Sequence, residues 1–437
     1  MFGKTALISS GFGLLASAYP GHHQPAGGYG SINVQDPSKL ISDPLLTYGP
    51  EIEVVHYYYD QWPTGIAVSK EGRLFSNYPG GLDPADVYNG HNGKYTVAEL
   101  NADNTETPYP SARINHPPGG AINYTTYPPT GANYDNYFIG VQSVVIDSKN
   151  RLWVLDTGRV LQPNGVLVPA TYGGPKLIGI DLATDTIFQT IVFPVTVAYG
   201  DSYLNDVRFD LRPELTPSGK GVAYITDSST EGRNGIVIVD LGTGASHRHL
   251  DRLSKTHPLD QWVAYVQGNP LYSCPPLNAP YTYTNFGSDG ITLSADGNTL
   301  YWKVVAGRYL YSIPTAALRN NGPYSEILAE EAVVQHTETG STDGMETDTN
   351  GFIYHGNMEQ DAVSFFNPAN GTDTLFVRDP RINWVDTFST GFDGYLYFTN
   401  NQLYLMASFY PCTDRRQYPY SLLRVPLPAG GSKPLLV

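Results

Sequence analysis

The stretch GVQSVVIDSKNRLWVLDTG, from Gly140 to Gly158, is decisive for the fold. Two apolar segments rich in Val, Ile, Leu and Trp flank the polar turn DSKN, which is the pattern of a β-hairpin. The same pattern recurs five more times, and the other copies begin at Pro63, Leu204, Ser288, Thr342 and Val385. The hairpin is therefore one copy of an internal repeat.

Six repeated hairpins predict an all-β fold, a six-bladed β-propeller. One hairpin cannot bury its apolar faces alone, whereas blades stacked around an axis bury them between neighbours. The outer strands are predicted between the hairpins, in segments 175–193, 235–250, 308–314 and 361–368. Segment 51–60 is expected to pair with 421–427 and so close the ring between the first and last blades.

The N-terminus predicts a secreted protein. Lys4 precedes an apolar run, Ala6–Leu15, that is too short to span a bilayer, and the small residues Ala16–Ala18 offer a cleavage site. We therefore expect a signal peptide over residues 1–18, an N-terminal extension over 19–50 and the propeller over 51–437.

Cysteines and sequons fit that location. The two cysteines, Cys274 and Cys412, predict one disulfide, with two free thiols as the alternative. The motifs NYT at Asn123 and NGT at Asn370 are candidate glycosylation sites.

Charge narrows the class of partner. The formal net charge is −15, which argues against nucleic acid and against anionic membrane surfaces, because both attract Lys and Arg. We expect a small-molecule ligand or substrate and a monomeric protein.

Four stretches carry a resemblance to a known family. They are TPYPS (Thr107–Ser111), RLWVLDTG (Arg151–Gly158), AYITDSSTEGRNGIVIVDLGTG (Ala223–Gly244) and GRYLYSIPTAALRN (Gly307–Asn320). In kind and order they resemble the major royal jelly/yellow protein family over roughly residues 50–427. One departure is that Lys149 and Asn150 stand where the insect proteins often carry a cysteine.

The resemblance implies secreted propellers that bind amines or sterols in a central channel, and members linked to melanin chemistry. In length, signal peptide and tyrosine content the chain looks like a filamentous-fungal member. It is similar in those respects to fungal propellers credited with an intermolecular hetero-Diels–Alder reaction in tropolone sesquiterpenoid biosynthesis.

The repeats place one polar residue per blade where the innermost strand should begin, near the mouth of the channel. All six can accept a hydrogen bond through oxygen, and an apolar residue follows each of them two positions later. The ring residues are Thr64, Gln142, Asn205, Asp289, Asp343 and Asp386.

Three interpretations of this ring stay open. Asp289, Asp343, Asp386 and Asn205 could bind Ca²⁺, which takes six to eight oxygen ligands, and the metal could activate water. The carboxylates could instead bind a polar or cationic organic ligand, with one of them protonated because like charges crowd it. The side chains could also simply cap backbone N–H groups at strand starts.

Aromatic residues and one histidine complete the candidate site. Trp62 and Trp384 each precede a ring residue by two positions, and Tyr59 lies close by, so they could form the walls of a small-molecule pocket. Packing in the core is the alternative for both tryptophans. His355 follows a strand of blade five and is a candidate channel acid or base.

These observations favour a secreted propeller that binds a small, largely apolar or aromatic molecule. The preferred function is a biosynthetic cyclisation without a cofactor, in which the pocket holds reactive partners together. Asp289, Asp343, Asp386, Gln142 and His355 are the candidate catalytic groups, and Thr64, Asn205, Trp62, Trp384 and Tyr59 the candidate ligand contacts. The alternatives are a Ca²⁺-dependent lactonase or esterase and a non-catalytic carrier.

Overall fold

A computed structural model describes residues 47–91, 93–276 and 279–437. The predicted signal peptide and most of the predicted extension lie outside these residues. Helix is confined to short segments, and none in the described part of the chain is long and apolar enough to cross a membrane. The α-helices are α1 (Ala112–Asn115), α2 (Thr315–Arg319) and α3 (Ser325–Glu331).

The β-strands form six antiparallel four-stranded sheets, the blades of the propeller. The first strand, β1 (Glu53–Tyr58), belongs to blade six. Blade one contains β2 (Ala67–Val68), β3 (Leu74–Asn77), β4 (Val97–Leu100) and β5 (Glu106–Pro108), and is followed by the hairpin β6 (Ile122–Asn123) and β7 (Thr130–Gly131). Blade two contains β8 (Val141–Ile146), β9 (Arg151–Asp156), β10 (Lys176–Asp181) and β11 (Thr186–Val192).

The remaining blades follow in chain order. Blade three contains β12 (Leu204–Asp210), β13 (Val222–Asp227), β14 (Gly235–Asp240) and β15 (Ser246–His249). Two small hairpins come next, β16 (Tyr265–Val266) with β17 (Asn269–Pro270) and β18 (Tyr272–Ser273) with β19 (Thr282–Tyr283). Blade four contains β20 (Ser288–Leu293), β21 (Thr299–Val304), β22 (Tyr309–Pro314) and β23 (Val334–Glu338). Blade five contains β24 (Met345–Thr347), β25 (Ile353–Asn357), β26 (Ala362–Asn367) and β27 (Thr372–Arg378), and blade six contains β28 (Val385–Thr390), β29 (Tyr395–Asn400) and β30 (Tyr420–Pro426).

The six blades form a closed ring. The innermost strands β2, β8, β12, β20, β24 and β28 contact one another in that order, and β28 contacts β2. Strand β1 pairs with β30 in the register Glu53↔Arg424 to Tyr58↔Tyr420, so the two ends of the chain share blade six. The predicted hairpins, outer strands and ring closure are thereby confirmed.

Both faces of each blade are apolar because each blade is packed between two others. In β9, Leu152 and Val154 pack with residues of blade one. Trp153 and Leu155 alternate with them and pack with Phe209 and other residues of blade three. Strand side chains point to opposite faces in turn, so an uninterrupted apolar run is what a strand between two blades requires.

The innermost strands all begin at the same end of the propeller, which we call the upper face. The predicted hairpin turns lie at the opposite end, the lower face. Two long segments lie at the upper face, 258–287 (described over 258–276 and 279–287) and 401–419, and we call these described residues the lid. Segment 258–287 connects blades three and four, whereas 401–419 belongs to blade six, on the opposite side of the ring.

The predicted disulfide is confirmed, and it joins the two segments of the lid. Cys274 and Cys412 are bonded with an S–S distance of 2.04 Å. The Cys274 N–H donates to the Ser408 carbonyl oxygen at 2.7 Å, so backbone contacts accompany the bond. The disulfide therefore ties opposite sides of the ring together above the channel.

Both sequons lie in local turns. The Thr125 hydroxyl donates to Asn123 Oδ1 at 2.6 Å, and the Thr372 hydroxyl donates to Asn370 Oδ1 at 2.7 Å. Glycosylation at either asparagine stays a prediction.

Candidate functional site

Polar side chains meet inside the upper end of the channel. Asn205 Nδ2 donates to Asp289 Oδ2 at 2.6 Å, and the Asp289 and Asp343 carboxyl groups are hydrogen-bonded to each other. Asp386 adds to the electrostatic field at Asp289. We call Asp289, Asp343 and Asp386 the aspartate cluster. The structure thus brings together the three carboxyl groups that the repeats placed in register.

β-Bulges help to position the ring residues. The register of the innermost strand shifts at Gln142 in blade two, next to Asn205 in blade three, at Asp289 in blade four and at Asp386 in blade six. A bulge re-aims a side chain and bends the strand locally. In a regular strand, residues two positions apart point to the same face. The bulge lets the ring residue point elsewhere than the apolar residue two positions later. That apolar residue is buried in every blade: Ile66, Val144, Val207, Ile291, Met345 and Phe388.

Burial raises the pKa of each residue in the aspartate cluster. It raises the pKa of Asp289 well above the usual range, and the neighbouring carboxyl groups of Asp343 and Asp386 raise it further. The pKa of Asp386 is also raised well above its usual range, first by burial and then by Asp343. For Asp343, burial raises the pKa to about 6, although hydrogen bonds with Trp384 and Asp289 oppose the rise.

A fourth acid, Asp206, lies next to this cluster and was not predicted. It adds to the rise in pKa of all three aspartates. Arg208 Nη1 donates to Asp206 Oδ1 at 2.8 Å, and the Ser143 hydroxyl donates to the same atom at 2.9 Å. The sequence repeats indicated one polar residue per blade. They did not indicate Asp206, which is a second polar residue in the bulge of β12.

Trp384 is part of the site, whereas Trp62 lies one residue away from it. Trp384 Nε1 donates to Asp343 Oδ2 at 2.7 Å, in a fully buried position. Trp62 Nε1 donates to the Asn401 carbonyl oxygen, and Asn401 Nδ2 donates to Asp386 Oδ2 at 2.8 Å. Both indoles also pack against apolar residues of the lid.

The other candidate ligand contacts differ in their relation to the cluster. Tyr59 follows β1, the outermost strand of blade six, and packs against Tyr57 rather than in the channel. Thr64 is fully buried, and its hydroxyl accepts from Asn77 Nδ2 at 2.8 Å, so it joins strands of blade one.

Gln142 lies close to the other ring residues. It is held there by Tyr203, which, like Asp206, was not predicted from the sequence. The Tyr203 hydroxyl donates to Gln142 Oε1 at 2.8 Å. Gln142 Nε2 in turn donates to Asn205 Oδ1 at 3.5 Å, which links blades two and three at the channel.

The expectation that His355 is a channel acid or base is not met. His355 is fully buried in β25, and its Nε2 lies 2.8 Å from Asp373 Oδ1 in the outermost strand of blade five. Its Nδ1 lies 2.9 Å from the Gly356 carbonyl oxygen. Both ring nitrogens are therefore engaged inside the blade, away from the channel.

In this structure the four residues that were candidates for calcium ligands lie close to one another, and Asn205, Asp289 and Asp343 make hydrogen bonds among themselves. Among the described residues, no group of three or more His, Cys, Asp or Glu side chains is arranged to hold a metal. The Asp289 and Asp343 oxygens face each other across a hydrogen bond, and Asn205 presents its amide N–H group to Asp289. A proton shared by Asp289 and Asp343 accounts for this close contact between two carboxyl groups, and no metal ion is needed to explain it.

Chelation tests the calcium prediction directly. We expect EDTA to leave the Tm of the purified protein within about 1 °C of its value in about 2 mM CaCl₂, because calcium would raise the Tm only if it bound the folded state, which it would then stabilise by RT ln(1 + c/Kd), where c is the free calcium concentration. Differential scanning fluorimetry and elemental analysis of the dialysed protein make the measurement. One bound calcium per chain with a large fall in Tm on chelation would contradict the proton-sharing interpretation.

The chemistry available here is that of a buried acid. Burial and neighbouring carboxyl groups raise the pKa of Asp289 and Asp386, and no Lys, Arg or His is among the causes that shift the pKa of any of the three aspartates. A neutral carboxylic acid in such a site can donate a hydrogen bond to a carbonyl oxygen. The aromatic residues beside it are suited to a flat, apolar ligand.

Comparison with known proteins gives matches in sequence. A family model described as major royal jelly protein matches residues 139–426, more than half of the chain. Major royal jelly protein 7 of Apis mellifera is 24% identical over 229 residues, which cover 52% of this chain and 47% of the relative. Major royal jelly protein 1 of Apis mellifera is 23% identical over 242 residues, covering 54% and 51%. The chain thus matches about half the length of these relatives.

Among solved structures, the matches extend over most of the chain at low identity. A luciferin-regenerating enzyme is 11% identical, with a TM-score of 0.48, and the match covers 88% of this chain and 97% of that one. A calcium-binding protein, regucalcin, from Agrobacterium tumefaciens is 12% identical, with a TM-score of 0.47, covering 88% and 98%.

Proposed function

The chain belongs to the major royal jelly protein family, and from that premise we propose that it binds a small, uncharged organic molecule in the upper end of its channel. The ligand carries a carbonyl oxygen or a similar acceptor, and its apolar body lies near Trp384. We include in the proposal that the protein is secreted, with which the disulfide agrees.

The hydrogen bond between the Asp289 and Asp343 carboxyl groups carries this proposal. Two ionised carboxylates within hydrogen-bonding reach of each other would repel, so one of them keeps its proton. Trp384 Nε1 donates to Asp343, which favours the ionised form of that residue. Asp289 is then the proton donor of the pair, and Asn205 holds it in place.

The reaction that fits such a donor is a cofactor-free cyclisation of the hetero-Diels–Alder type. When the ligand binds, the Asp289 O–H would leave Asp343 and donate instead to the carbonyl oxygen of an electron-poor heterodiene, drawing electron density from it as developing charge is stabilised in other preorganised sites. An alkene partner held beside it would add across the heterodiene. Two σ bonds form at the expense of π bonds, and no atom leaves, so the site needs neither an oxidant nor an activated water.

Tropolone is a suitable first probe because it is a flat, aromatic carbonyl compound. We expect it to quench intrinsic tryptophan fluorescence with a Kd in the micromolar range, since Trp384 donates its indole N–H within the cluster. Incubation of the protein with an o-quinone methide generated in situ and an electron-rich alkene, followed by chromatography and mass spectrometry, then tests for the adduct.

The variant that decides the role of Asp289 is Asp289→Asn, which keeps the shape of the side chain but has no acidic proton. We expect adduct formation to fall at least tenfold, because removal of one oxyanion-type donor costs on that order or more. Asp296→Asn is the matched control, since Asp296 lies in an exposed turn of the same blade. Equal rates for wild type and Asp289→Asn would contradict the proposed reaction, and unchanged fluorescence with tropolone would contradict the proposed ligand class.

A further inference from the structure

The C-terminal segment, residues 428–437, crosses the lower face of the propeller. Its first part is bound to blades five and six: the Thr349 N–H donates to the Ser432 carbonyl oxygen at 2.9 Å, and the Lys433 N–H donates to the Gly391 carbonyl oxygen at 3.3 Å. We call this segment the tail.

The end of the tail is bound to the opposite side of the ring. The Leu436 N–H donates to Ser148 Oγ in the turn of blade two at 2.9 Å, and the Leu211 N–H, below blade three, donates to the Leu436 carbonyl oxygen at 2.9 Å. In a ring of six, blade two faces blade five and blade three faces blade six. The residues between Lys433 and Leu436 must therefore pass across the axis of the channel.

A cavity lies directly above this crossing, on the inner side of the tail. Its volume is about 50 Å³, and inner-strand residues of blades two to five line it together with tail residues Lys433, Pro434 and Leu436. A space of that size holds one or a few water molecules. It is the lower end of the channel, closed by the tail.

Charged groups connect this cavity with the aspartate cluster. Arg208 and Glu346 line the cavity, and Arg208 Nη2 lies 3.7 Å from Glu346 Oε2. The other nitrogen of the same guanidinium, Nη1, binds Asp206, the acid beside the cluster. Lys433 of the tail also lines the cavity, together with Arg208 and Glu346.

We propose that the tail is an intramolecular plug, which closes the lower end of the channel so that the aspartate cluster can be reached only from the lid side. Leu436 is the anchor of the plug. It is 8% exposed and packs with apolar residues of blades three and four, whereas its neighbour Leu435 is 55% exposed. Release of the anchor opens a second entrance to the channel. The inference does not depend on the identity of the ligand.

Carboxyl labelling tests the plug. A water-soluble carbodiimide with glycine ethyl ester is applied to the full-length protein at about pH 5.5, and mass spectrometry follows the modification of Glu346 at the lower end and of Asp289 further in. In wild type we expect both to react slowly because both are buried. In a variant that ends at Gly431, Glu346 should be labelled at least tenfold faster and Asp289 several-fold faster, because the tail no longer covers the cavity. This variant keeps β30 and the rest of blade six, so the propeller should still fold.

A matched pair of point variants keeps the test decisive if the shortened chain does not fold. Leu436→Ala weakens the anchor, and we expect it to raise the labelling rate of Glu346 at least threefold. Leu435→Ala makes the same chemical change at an exposed position and should leave the rate unchanged. If Glu346 is labelled as slowly in Leu436→Ala as in wild type, the proposal is overturned. Faster labelling of Glu346 with no change at Asp289 in any variant would also overturn it, because the cavity would then not lead to the cluster.

Discussion

Asp343→Asn should make the protein more stable at pH 8, by about 2 kcal/mol, and have little effect at pH 4. The reason is the buried position of Asp343, which raises its pKa from 3.8 to about 6. Between those two values the folded protein holds a proton that the unfolded chain releases. The free energy of unfolding therefore falls as the pH rises through this range, and stays lower above it.

An asparagine does not titrate, so the variant escapes this loss at high pH. The full shift is worth about 3 kcal/mol, and we expect less because the variant also weakens the contact with Asp289. Its amide oxygen can still accept the N–H of Trp384. Urea unfolding of both proteins at several values between pH 4 and pH 8.5, followed by tryptophan fluorescence, gives the comparison. A variant that is less stable than wild type at every pH would contradict this expectation.

Asp156→Asn should have the opposite and larger effect, a loss of about 3–5 kcal/mol near pH 7. Asp156 ends the strand in RLWVLDTG and is fully buried. Lys176 Nζ, also fully buried, donates to Asp156 Oδ2 at 2.9 Å. The same carboxylate accepts the backbone N–H groups of Ile139, Gly140 and Gly158.

Removing the negative charge of Asp156 leaves the buried Lys176 ammonium with only the neutral Gly174 carbonyl oxygen as a partner, and an uncompensated buried charge is the costly half of a broken ion pair. Thermal unfolding should show a fall in Tm large enough to lower the yield of secreted protein. Lys176→Met in the same background should recover part of the loss, because no buried charge then remains. If Asp156→Asn unfolds at the same temperature as wild type, the pair does not stabilise the fold in this way.

The contrast between these aspartates shows what the sequence could and could not predict. Both kinds of residue are polar positions at strand ends in a repeated hairpin. The repeat was enough to predict the six blades, the closing strand and the in-register positions of Asp289, Asp343 and Asp386, because hydrophobic periodicity follows local geometry. It could not separate an aspartate paired with a lysine, such as Asp156, from one whose pKa is raised, such as Asp289, since the groups that raise the pKa of Asp289 come from blades far away in the chain.

Local departures from regular structure account for the residues that were missed. In a regular strand, successive side chains point to opposite faces. A bulge in β12 interrupts this alternation at Asn205 and Asp206, so both side chains lie at the site. Tyr203 lies before β12 and reaches Gln142 of another blade. His355 was expected in the channel because it follows an aromatic strand, but position along β25 does not reveal that its partner is Asp373 on the outermost strand.

Closure of blade six has a consequence for the order in which the molecule is made. Strand β1 is among the first parts of the propeller to be synthesised, yet its partner β30 ends at Pro426, close to the C-terminus. The apolar residues of β1 must wait for nearly the whole chain before they can pair, and contacts of such long sequence separation form slowly. During that interval β1 is an unpaired strand exposed to association with other chains. Chaperone binding to nascent chains should therefore persist until the last blade has been completed.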